Sequence, residues 1–324
     1  MTAVWNDYHE VKDLGASVVC LGNFDGLHRG HQSIFRKTFL HAKRRQLMSC
    51  LVTFDPHPAH VLNQERNLKL LLSGDEKREL MSAMPFDGAL IQRFDRKFSE
   101  MSAESFVEDV LIRSLKAKMI MVGSNFRFGF EARGDVDLLR SYPEFEVEGA
   151  DLLEVDGSVL SSSKIRSLLT QGNVRAASRL LGYHYFATGV VIHGDGRGAQ
   201  IGFPTANVDV RKPLLIPFGV YGGFLERVDS GEVNVAAINF GIKPTFSSKT
   251  PSLEAHLPGF CGDLYGHRVN IYFGESVRSE MKFSSVQKLQ AQIARDVNSV
   301  KDCMELSSYQ SPREVLGKNV EVSL

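Results

Sequence analysis

The chain has 324 residues, about the length of two average domains, and its 43% hydrophobic and 23% charged residues are ordinary for a globular protein. Lysine plus arginine and aspartate plus glutamate both number 38, so the formal net charge is zero and no basic excess indicates a nucleic-acid partner. The sequence shows neither a secretory signal at its start nor the run of roughly 18 apolar residues that a membrane helix needs. We therefore expect a cytoplasmic protein with neither a nucleic-acid nor a membrane partner; weak self-association is left open.

The four cysteines, Cys20, Cys50, Cys261 and Cys303, are scattered along the chain and form no CxxC pair. Zinc sites and redox-active disulfides commonly place two cysteines at that short spacing. We therefore expect a buried free thiol at each position, and neither a disulfide nor a zinc site.

The first half of the chain alternates short apolar runs with helical patterns. The runs at residues 18–21, 50–54, 89–94 and 119–122 predict strands, and apolar residues at helical spacing predict helices over residues 31–45 and 102–116. Such alternation predicts an α/β domain with a Rossmann-like parallel sheet wrapped by helices. Ligands of such sheets bind at the carboxyl ends of the strands, so the residues that follow each strand are the first candidates for a site.

The segment GNFDGLHRGH, residues 22–31, follows the first predicted strand and leads into a predicted helix. His28 and His31 can face one anion, because a helix N-terminus presents free N–H groups and the positive end of its dipole. Gly30 lets the backbone come close to a phosphate. The pattern is typical of a nucleotidyltransferase that acts on the α-phosphate of ATP, and a pair of surface histidines in a turn is the alternative.

Three further segments are predicted to join this site. Residues 53–58 put His57 in a proline-bounded loop, and residues 122–129 carry an amide, a guanidinium and aromatic rings, which suit a ring ligand with a phosphate. Residues 161–166 offer hydroxyls and cations at a helix start, a pattern that binds anions. Taken singly, these segments are also compatible with an ordinary turn or a capped, solvated helix.

The expected chemistry follows from charge. A phosphate monoester is already an anionic nucleophile near neutral pH, so its attack on the α-phosphate of ATP needs in-line positioning rather than a general base. His28, His31 and Arg166 can donate hydrogen bonds to the crowded phosphates. Mg²⁺ can neutralise the departing pyrophosphate.

The pattern changes near Gly182, where a predicted helix over residues 173–181 ends. Closely spaced strands with turns between them are then predicted at residues 187–193, 219–227, 233–239, 253–257 and 268–273. This rhythm predicts an antiparallel β-barrel, followed by a terminal helix over residues 286–303. We therefore expect two domains, residues 1–184 and residues 185–324.

Two segments of the predicted barrel have residues suited to binding or catalysis. Glycine-rich residues 194–198 and GFPTAN, residues 202–207, can wrap phosphates, and Thr205 and Asn207 offer oxygen ligands of the kind Mg²⁺ accepts. On a strand, Glu254 and His256 share one face, which makes Glu254 a candidate general base for an alcohol. A plain hairpin and an exposed strand face are the alternatives.

Together these motifs resemble the prokaryotic bifunctional riboflavin kinase/FAD synthetase family. The resemblance rests on GNFDGLHRGH, TFDPHP, VGSNFRFG and SSSKIR in the first half, and on GFPTAN, LEAHL and DLYG in the second. It implies an N-terminal FMN adenylyltransferase domain and a C-terminal riboflavin kinase barrel. Such an enzyme uses ATP and Mg²⁺ to convert riboflavin to FMN and then FMN to FAD.

The resemblance also implies residue roles. Glu254 would take the proton of the ribityl 5′-hydroxyl, while His28, His31 and Arg166 would act on the phosphates of adenylyl transfer. The residues implied in nucleotide binding are Gly22, Phe24, Gly30, Ser162, Ser163, Gly194, Gly196, Gly202, Pro204, Thr205 and Asn207. Those implied in flavin binding are Asn125, Phe126, Phe128 and His57, and the implied metal ligands are Thr205 and Asn207.

The chain departs from the family pattern at a few positions. Ala199 and Gln200 stand where a basic residue is common, and Ser163 stands where threonine is usual. Two alternatives follow: an FMN adenylyltransferase whose kinase barrel is impaired, and a flavin-binding regulatory protein without turnover.

Overall fold

The structure, a computed structural model, describes residues 2–63, 68–150, 153–155, 158–244 and 249–320. The chain forms two compact units, one of residues 1–162 and 312–324 and the other of residues 163–311. The predicted catalytic domains, residues 1–184 and 185–324, stay a prediction, because compact packing alone does not define a catalytic domain.

The first unit is built on a parallel sheet of six strands in its described part, in the order β1-β4-β3-β2-β5-β6. This confirms the predicted α/β class. The edge strands β1 and β6 were not predicted, because one is very short and the other lacks an apolar run. The strands are β1 (Ala3–Trp5), β2 (Ser17–Leu21), β3 (Met48–Asp55), β4 (Gly88–Arg93), β5 (Ala117–Gly123) and β6 (Glu146–Ala150).

Helices cover this sheet and join its strands. They are α1 (Arg29–Arg45), α2 (Pro58–Leu62), α3 (Gly74–Ser82), α4 (Arg96–Ser99), α5 (Ala103–Ser105) and α6 (Val136–Arg140). The predicted helix over residues 102–116 is capped by Ser102, as expected, but continues from α5 as a π-helix over Phe106–Ser114. Its apolar face packs with the inner residues of the sheet, such as Val52 and Ile120. The hydrophobic effect of this burial stabilises the unit.

The second unit contains a closed antiparallel barrel in the order β10-β13-β12-β11-β14-β9, which confirms the predicted barrel. A short hairpin, β7 (Glu154–Val155) with β8 (Ser158–Val159), precedes it in the chain. The barrel strands are β9 (Tyr185–Ile192), β10 (Ala206–Val210), β11 (Gly219–Arg227), β12 (Val233–Pro244), β13 (Lys249–His256) and β14 (Arg268–Ser279). Strand β10 was not predicted as such, because Asn207 and Asp209 interrupt its apolar pattern.

The remaining helices are α7 (Ser162–Thr170), α8 (Val174–Leu181), α9 (Arg197–Gln200), α10 (Val286–Cys303) and α11 (Pro312–Val320). Helix α8 is capped by Asn173 and ends at Gly182 in the left-handed conformation, as the sequence indicates. Helix α10 has the predicted bounds, with Ser285 as its N-cap. Helix α11 follows the barrel in sequence but belongs to the first unit. Over the described residues, no helix is both long enough and apolar enough to cross a membrane.

The prediction of a buried thiol is confirmed for two of the four cysteines. Cys20 and Cys50 are buried in the strands of the first unit, where burial raises the pKa of both thiols. The prediction is wrong for Cys261 and Cys303, which are exposed. Cys261 lies in the loop after β13, and Cys303 is the last residue of α10. Over the described ranges, no group of three or more histidine, cysteine, aspartate or glutamate side chains is arranged to hold a metal.

The barrel depends on a close approach between β11 and β14. A Cβ atom at Gly223 would overlap the backbone carbonyl oxygen of Tyr272. We expect Gly223→Ala to lower the free energy of unfolding by about 2–3 kcal/mol, because the strands must separate to admit a methyl group. Gly317→Ala on α11 is the control, since a Cβ there meets no atom within 4 Å. Chemical denaturation would measure both variants, and equal stability would contradict the argument.

Candidate active sites

Three motif-bearing loops meet at one edge of the parallel sheet. Strand β2 pairs with β3 on one side and β5 on the other, and all three run in the same direction. The segments that follow Leu21, Asp55 and Gly123 therefore emerge side by side, where strand carboxyl ends place ligands in such sheets.

His28 and His31 lie together at the start of α1. His28 is the N-cap, and its Nδ1 accepts the backbone N–H of His31 at 3.4 Å. The rings stack with centroids 3.6 Å apart and an angle of 17°. A Cβ at Gly30 would come within 3.2 Å of the His28 ring, so glycine keeps this stack accessible. Because Nδ1 of His28 is an acceptor, a neutral His28 carries its proton on Nε2 and can donate from there.

His31 is held in its neutral form. Burial lowers its pKa well below the ordinary value, and electrostatic interactions with His28 and Lys77 lower it further. Its Nδ1 atom is buried and has no hydrogen-bond partner among the described residues. A neutral His31 can offer hydrogen bonds but no fixed positive charge, and its predicted role at the phosphates stays a prediction.

The GNFDG turn before the histidines is held by its own side chains. Phe24, at a φ of +48°, packs its ring edge-on to His31 with centroids 5.3 Å apart. A Cβ at Gly22 would lie 2.7 Å from the Phe24 ring, so this position requires glycine. The buried carboxylate of Asp25 accepts the backbone N–H of Leu71 at 2.9 Å. Sequence reasoning missed Asp25, whose buried position could not be recognised from a turn-like motif.

The serine-rich segment begins α7. Ser162 donates its hydroxyl to the backbone oxygen of Asp25 at 2.8 Å, so it lies beside the GNFDG turn. Arg166 donates to the hydroxyl of Ser163 at 3.1 Å, one turn further along the helix. Ser163 and Arg166 belong to the second unit, and their predicted role at the ATP phosphates stays a prediction.

An aromatic pocket of about 410 Å³ opens beside the ends of β3, β4 and β5. Phe126 and Phe128, both predicted in flavin binding, line it, and their rings stack with centroids 5.9 Å apart. Sequence reasoning missed the other phenylalanines, because they come from separate segments that only the fold brings together. They are Phe54, Phe94, Phe98, Phe106 and Phe130.

The other two residues predicted in flavin binding lie elsewhere. Asn125 lines a neighbouring polar pocket with Asp135, and this pocket shares Phe126 and Arg127 with the aromatic pocket. His57 is the N-cap of α2, and its Nδ1 accepts the backbone N–H of Ala59 at 3.2 Å. Neither contributes to the lining of the aromatic pocket, so their predicted roles stay predictions.

The barrel has a pocket of about 300 Å³ with Glu254 in its wall. Strand β13 is flanked by β10 and β12, which set Asn207 and Asn239 opposite Glu254. The Thr205 hydroxyl lies 3.4 Å from Glu254 Oε2. Glu254 and His256 line the same pocket, and this confirms that they share one strand face. The Glu254 carboxylate is therefore surrounded by the neutral side chains of Thr205, Asn207 and Asn239.

The glycine-rich segment borders this pocket. A Cβ at Gly194 would overlap the Asn207 amide, whereas Gly196 and Gly202, with φ of +68° and +85°, have open space around them. The backbone oxygen of Pro204 accepts a hydrogen bond from His256 Nδ1 at 2.8 Å. Ala199 is exposed on the short helix α9, while Arg197 of the same helix lines the pocket. Arg197 thus brings a guanidinium near the departure at residue 199, where it pairs with Asp195 Oδ2 at 3.4 Å.

A buried ion pair at the same pocket was not predicted. Arg278 contacts the carboxylate of Asp296 through Nη2 at 2.8 Å, and Asp296 is only 4% exposed. Gln292 donates to the same carboxylate at 2.8 Å, and the Arg278 guanidinium lies over the Phe283 ring. The pair links β14 to α10 and so holds the helix against the pocket. Its members lie 18 residues apart, and no local motif indicates such pairing.

Comparison with known proteins agrees with this geometry. The family model for FAD synthetase matches residues 10–164, and that for riboflavin kinase matches residues 181–304. The bifunctional riboflavin kinase/FMN adenylyltransferase of Escherichia coli (strain K12) is 34% identical over 283 residues, which cover 86% of this chain and 90% of that protein. The chain belongs to the bifunctional riboflavin kinase/FMN adenylyltransferase family.

Other relatives in this family are similar at the same level. The protein of that name from Bacillus subtilis (strain 168) is 33% identical and covers 90% of this chain and 94% of its own length. A crystal structure described as a macrolide-efflux protein from Streptococcus pneumoniae has a TM-score of 0.84 and 28% identity, covering 94% of this chain and 99% of that chain. The fold is therefore shared with a solved structure.

The neutral state of His31 predicts a pH dependence of stability. The unfolded chain binds a proton at this histidine below pH about 6.5, while the folded chain resists it, so stability falls as the pH drops below that value. Replacement of His31 by Gln removes this loss. The difference in unfolding free energy, wild type minus His31→Gln, should fall by up to about 1 kcal/mol between pH 7.5 and pH 5.5. A pH-independent difference in denaturation experiments would contradict the assignment.

Proposed function

We propose that this chain makes both flavin cofactors: it phosphorylates riboflavin with ATP to give FMN, and then transfers the adenylyl group of a second ATP to FMN to give FAD and pyrophosphate. The observation that carries the proposal is the difference between the two sites. The barrel pocket contains a carboxylate beside hydroxyl and amide oxygens, whereas the sheet edge has a histidine pair and an aromatic pocket.

The kinase reaction requires a base because its nucleophile is an alcohol. Glu254 would take the proton of the ribityl 5′-hydroxyl as that oxygen forms a bond to the γ-phosphorus of ATP and the bond to the ADP oxygen breaks. The Thr205 hydroxyl, 3.4 Å from Glu254 Oε2, orients this carboxylate in the free protein. The glycine-rich segment, with Gly194, Gly196 and Gly202, can present backbone N–H groups to the phosphates.

The residues beside Glu254 also fit Mg²⁺. Thr205 and Asn207 provide a hydroxyl and an amide oxygen near one carboxylate, and Mg²⁺ prefers a few oxygen ligands together with substrate phosphates. Bound there, Mg²⁺ would neutralise negative charge on the phosphates of ATP.

The adenylyl transfer needs positioning rather than a base. An oxygen of the FMN phosphate is already anionic, and it forms a bond to the α-phosphorus of ATP while the bond to pyrophosphate breaks. His28 Nε2 would donate to the phosphate oxygens, and the N-terminus of α1 adds its dipole and free N–H groups. Ser162, Ser163 and Arg166 would bind further phosphate oxygens.

The aromatic pocket suits the isoalloxazine ring of FMN. Planar aromatic surfaces favour stacked and edge-on contacts, and Phe126 and Phe128 already present parallel rings. Its position at the strand ends puts a flavin on the same edge of the sheet as His28.

The two alternatives gain no support from the site. An impaired barrel would follow from a missing cation, but Arg197 lines the kinase pocket. A binding protein without turnover has no need for a carboxylate beside a hydroxyl and an amide. A cytoplasmic location fits the use of ATP in both steps, and the proposal requires no nucleic-acid, membrane or protein partner.

Replacement of Glu254 by Gln tests the kinase role. We expect FMN formation from riboflavin to fall about 10²- to 10⁴-fold, because the amide cannot accept the hydroxyl proton. FAD formation from supplied FMN should be unchanged. Glu232→Gln, at an exposed carboxylate that pairs with Arg227, is the matched control. Kinase turnover that survives in Glu254→Gln would remove this residue from the base role.

Replacement of His28 tests the adenylyltransferase role. His28→Asn keeps an N-cap but removes the Nε2 donor, and His28→Ala removes both. We expect FAD formation from FMN to fall about 10²-fold or more in each variant, with riboflavin phosphorylation unchanged. His41→Ala, on the same helix and paired with Glu148, is the control. Unchanged FAD formation in His28→Asn would show that His28 acts only as a helix cap.

A further inference from the structure

Helix α11 lies outside both family matches, which end at residues 164 and 304. It follows the kinase barrel in sequence, yet it packs in the first unit. Leu316 is 1% exposed and Val320 is fully buried, so its apolar face is part of that unit's interior. A segment with no assigned role is therefore built into the unit that carries the histidine pair.

A chain of hydrogen bonds leads from α11 to the turn before His28. Asn319 Nδ2 donates to Gln32 Oε1 at 2.9 Å, and Gln32 Nε2 donates to the backbone oxygen of Leu27 at 2.8 Å. Gln32 is only 4% exposed, so its amide has little access to water as a substitute partner. Leu27 has a φ of +40°, an unfavourable conformation that must be held by its surroundings.

The other end of α11 is also anchored in this unit. Arg313 forms an ion pair with Glu79 of α3. Helix α3 carries Lys77, whose ammonium donates to the backbone oxygen of Phe54 at 2.7 Å at the end of β3. Contacts to α1 and α3 thus connect α11 to two elements that border the sheet edge.

We propose that α11 is part of the adenylyltransferase machinery and that Asn319 is a positioning residue, which holds the Leu27–His28 turn through Gln32. The inference rests on the proposed function of the histidine pair. Its consequence is that a helix that follows the kinase barrel in sequence serves the adenylyltransferase site, which precedes the barrel. Loss of the Asn319 contact then impairs FAD formation and spares riboflavin phosphorylation.

The test compares full-length variants. Asn319→Ala should lower kcat for FAD formation from FMN about tenfold, because small displacements of a reacting group are costly. The KM for FMN and the rate of riboflavin phosphorylation should stay the same. Lys318→Ala is the control, since Lys318 is exposed on the same helix and pairs only with Glu314 among the described contacts. A fall in thermal stability without a change in kcat would overturn the inference.

A double-mutant cycle makes the test independent of folding effects. If Asn319 acts through Gln32, the double variant Gln32→Ala, Asn319→Ala should lose no more kcat than Gln32→Ala alone. Additive losses would overturn the proposed hydrogen-bond chain. An unmodified chain that forms no FAD from FMN would instead overturn the proposed function, and this inference with it.

Discussion

The adenylyltransferase site depends on the parallel pairing of β2 with β3 and β5. Leu21 at the end of β2 lies opposite Val52 of β3 and Val122 of β5, so the segments after these strands begin at one edge. The GNFDG turn, the aromatic pocket and the N-terminus of α1 all follow from this register. A shift of one residue would move Val52 and Val122 to the opposite face of the sheet and displace the loops that follow the strands.

In the second unit, antiparallel strand pairing arranges the residues of the candidate site. Glu254 projects from β13 with Asn207 and Asn239 on the neighbouring strands. An alcohol needs a base, and this barrel pocket has a carboxylate in its wall. An ionised phosphate needs none, and the sheet edge presents two imidazoles and a helix N-terminus. The chemistry of each nucleophile thus agrees with the side chains found at each site.

Sequence patterns predicted the elements whose residues interact locally. Strand β11 and helix α10 have the predicted bounds, because glycine, proline and serine mark their ends. Strand β10 and helix α11 were not predicted, because their apolar patterns are short or interrupted. Both elements are stabilised by residues that are distant in sequence. The exposure of Cys261 and Cys303 could not be read from residue type, because cysteine is usually buried.

In the candidate sites too, features set by local sequence could be predicted, whereas features set by distant contacts could not. His28, Gly30 and Glu254 stand in motifs whose spacing carries chemical meaning, so the sequence was sufficient to single them out. The aromatic pocket combines Phe54, Phe94 and Phe126 from three separate segments, and only the tertiary fold brings them together. The same is true of the contact between Asn319 and Gln32, whose partners are 287 residues apart.

One chain thus carries two reaction centres, and each can be assayed without the other. The most direct measurement is chromatography of the products that the purified chain forms with ATP and Mg²⁺, from riboflavin in one reaction and from FMN in a parallel one. We expect both FMN and FAD to form from riboflavin, and FAD to form from FMN. The absence of FMN from the first reaction or of FAD from the second would contradict it.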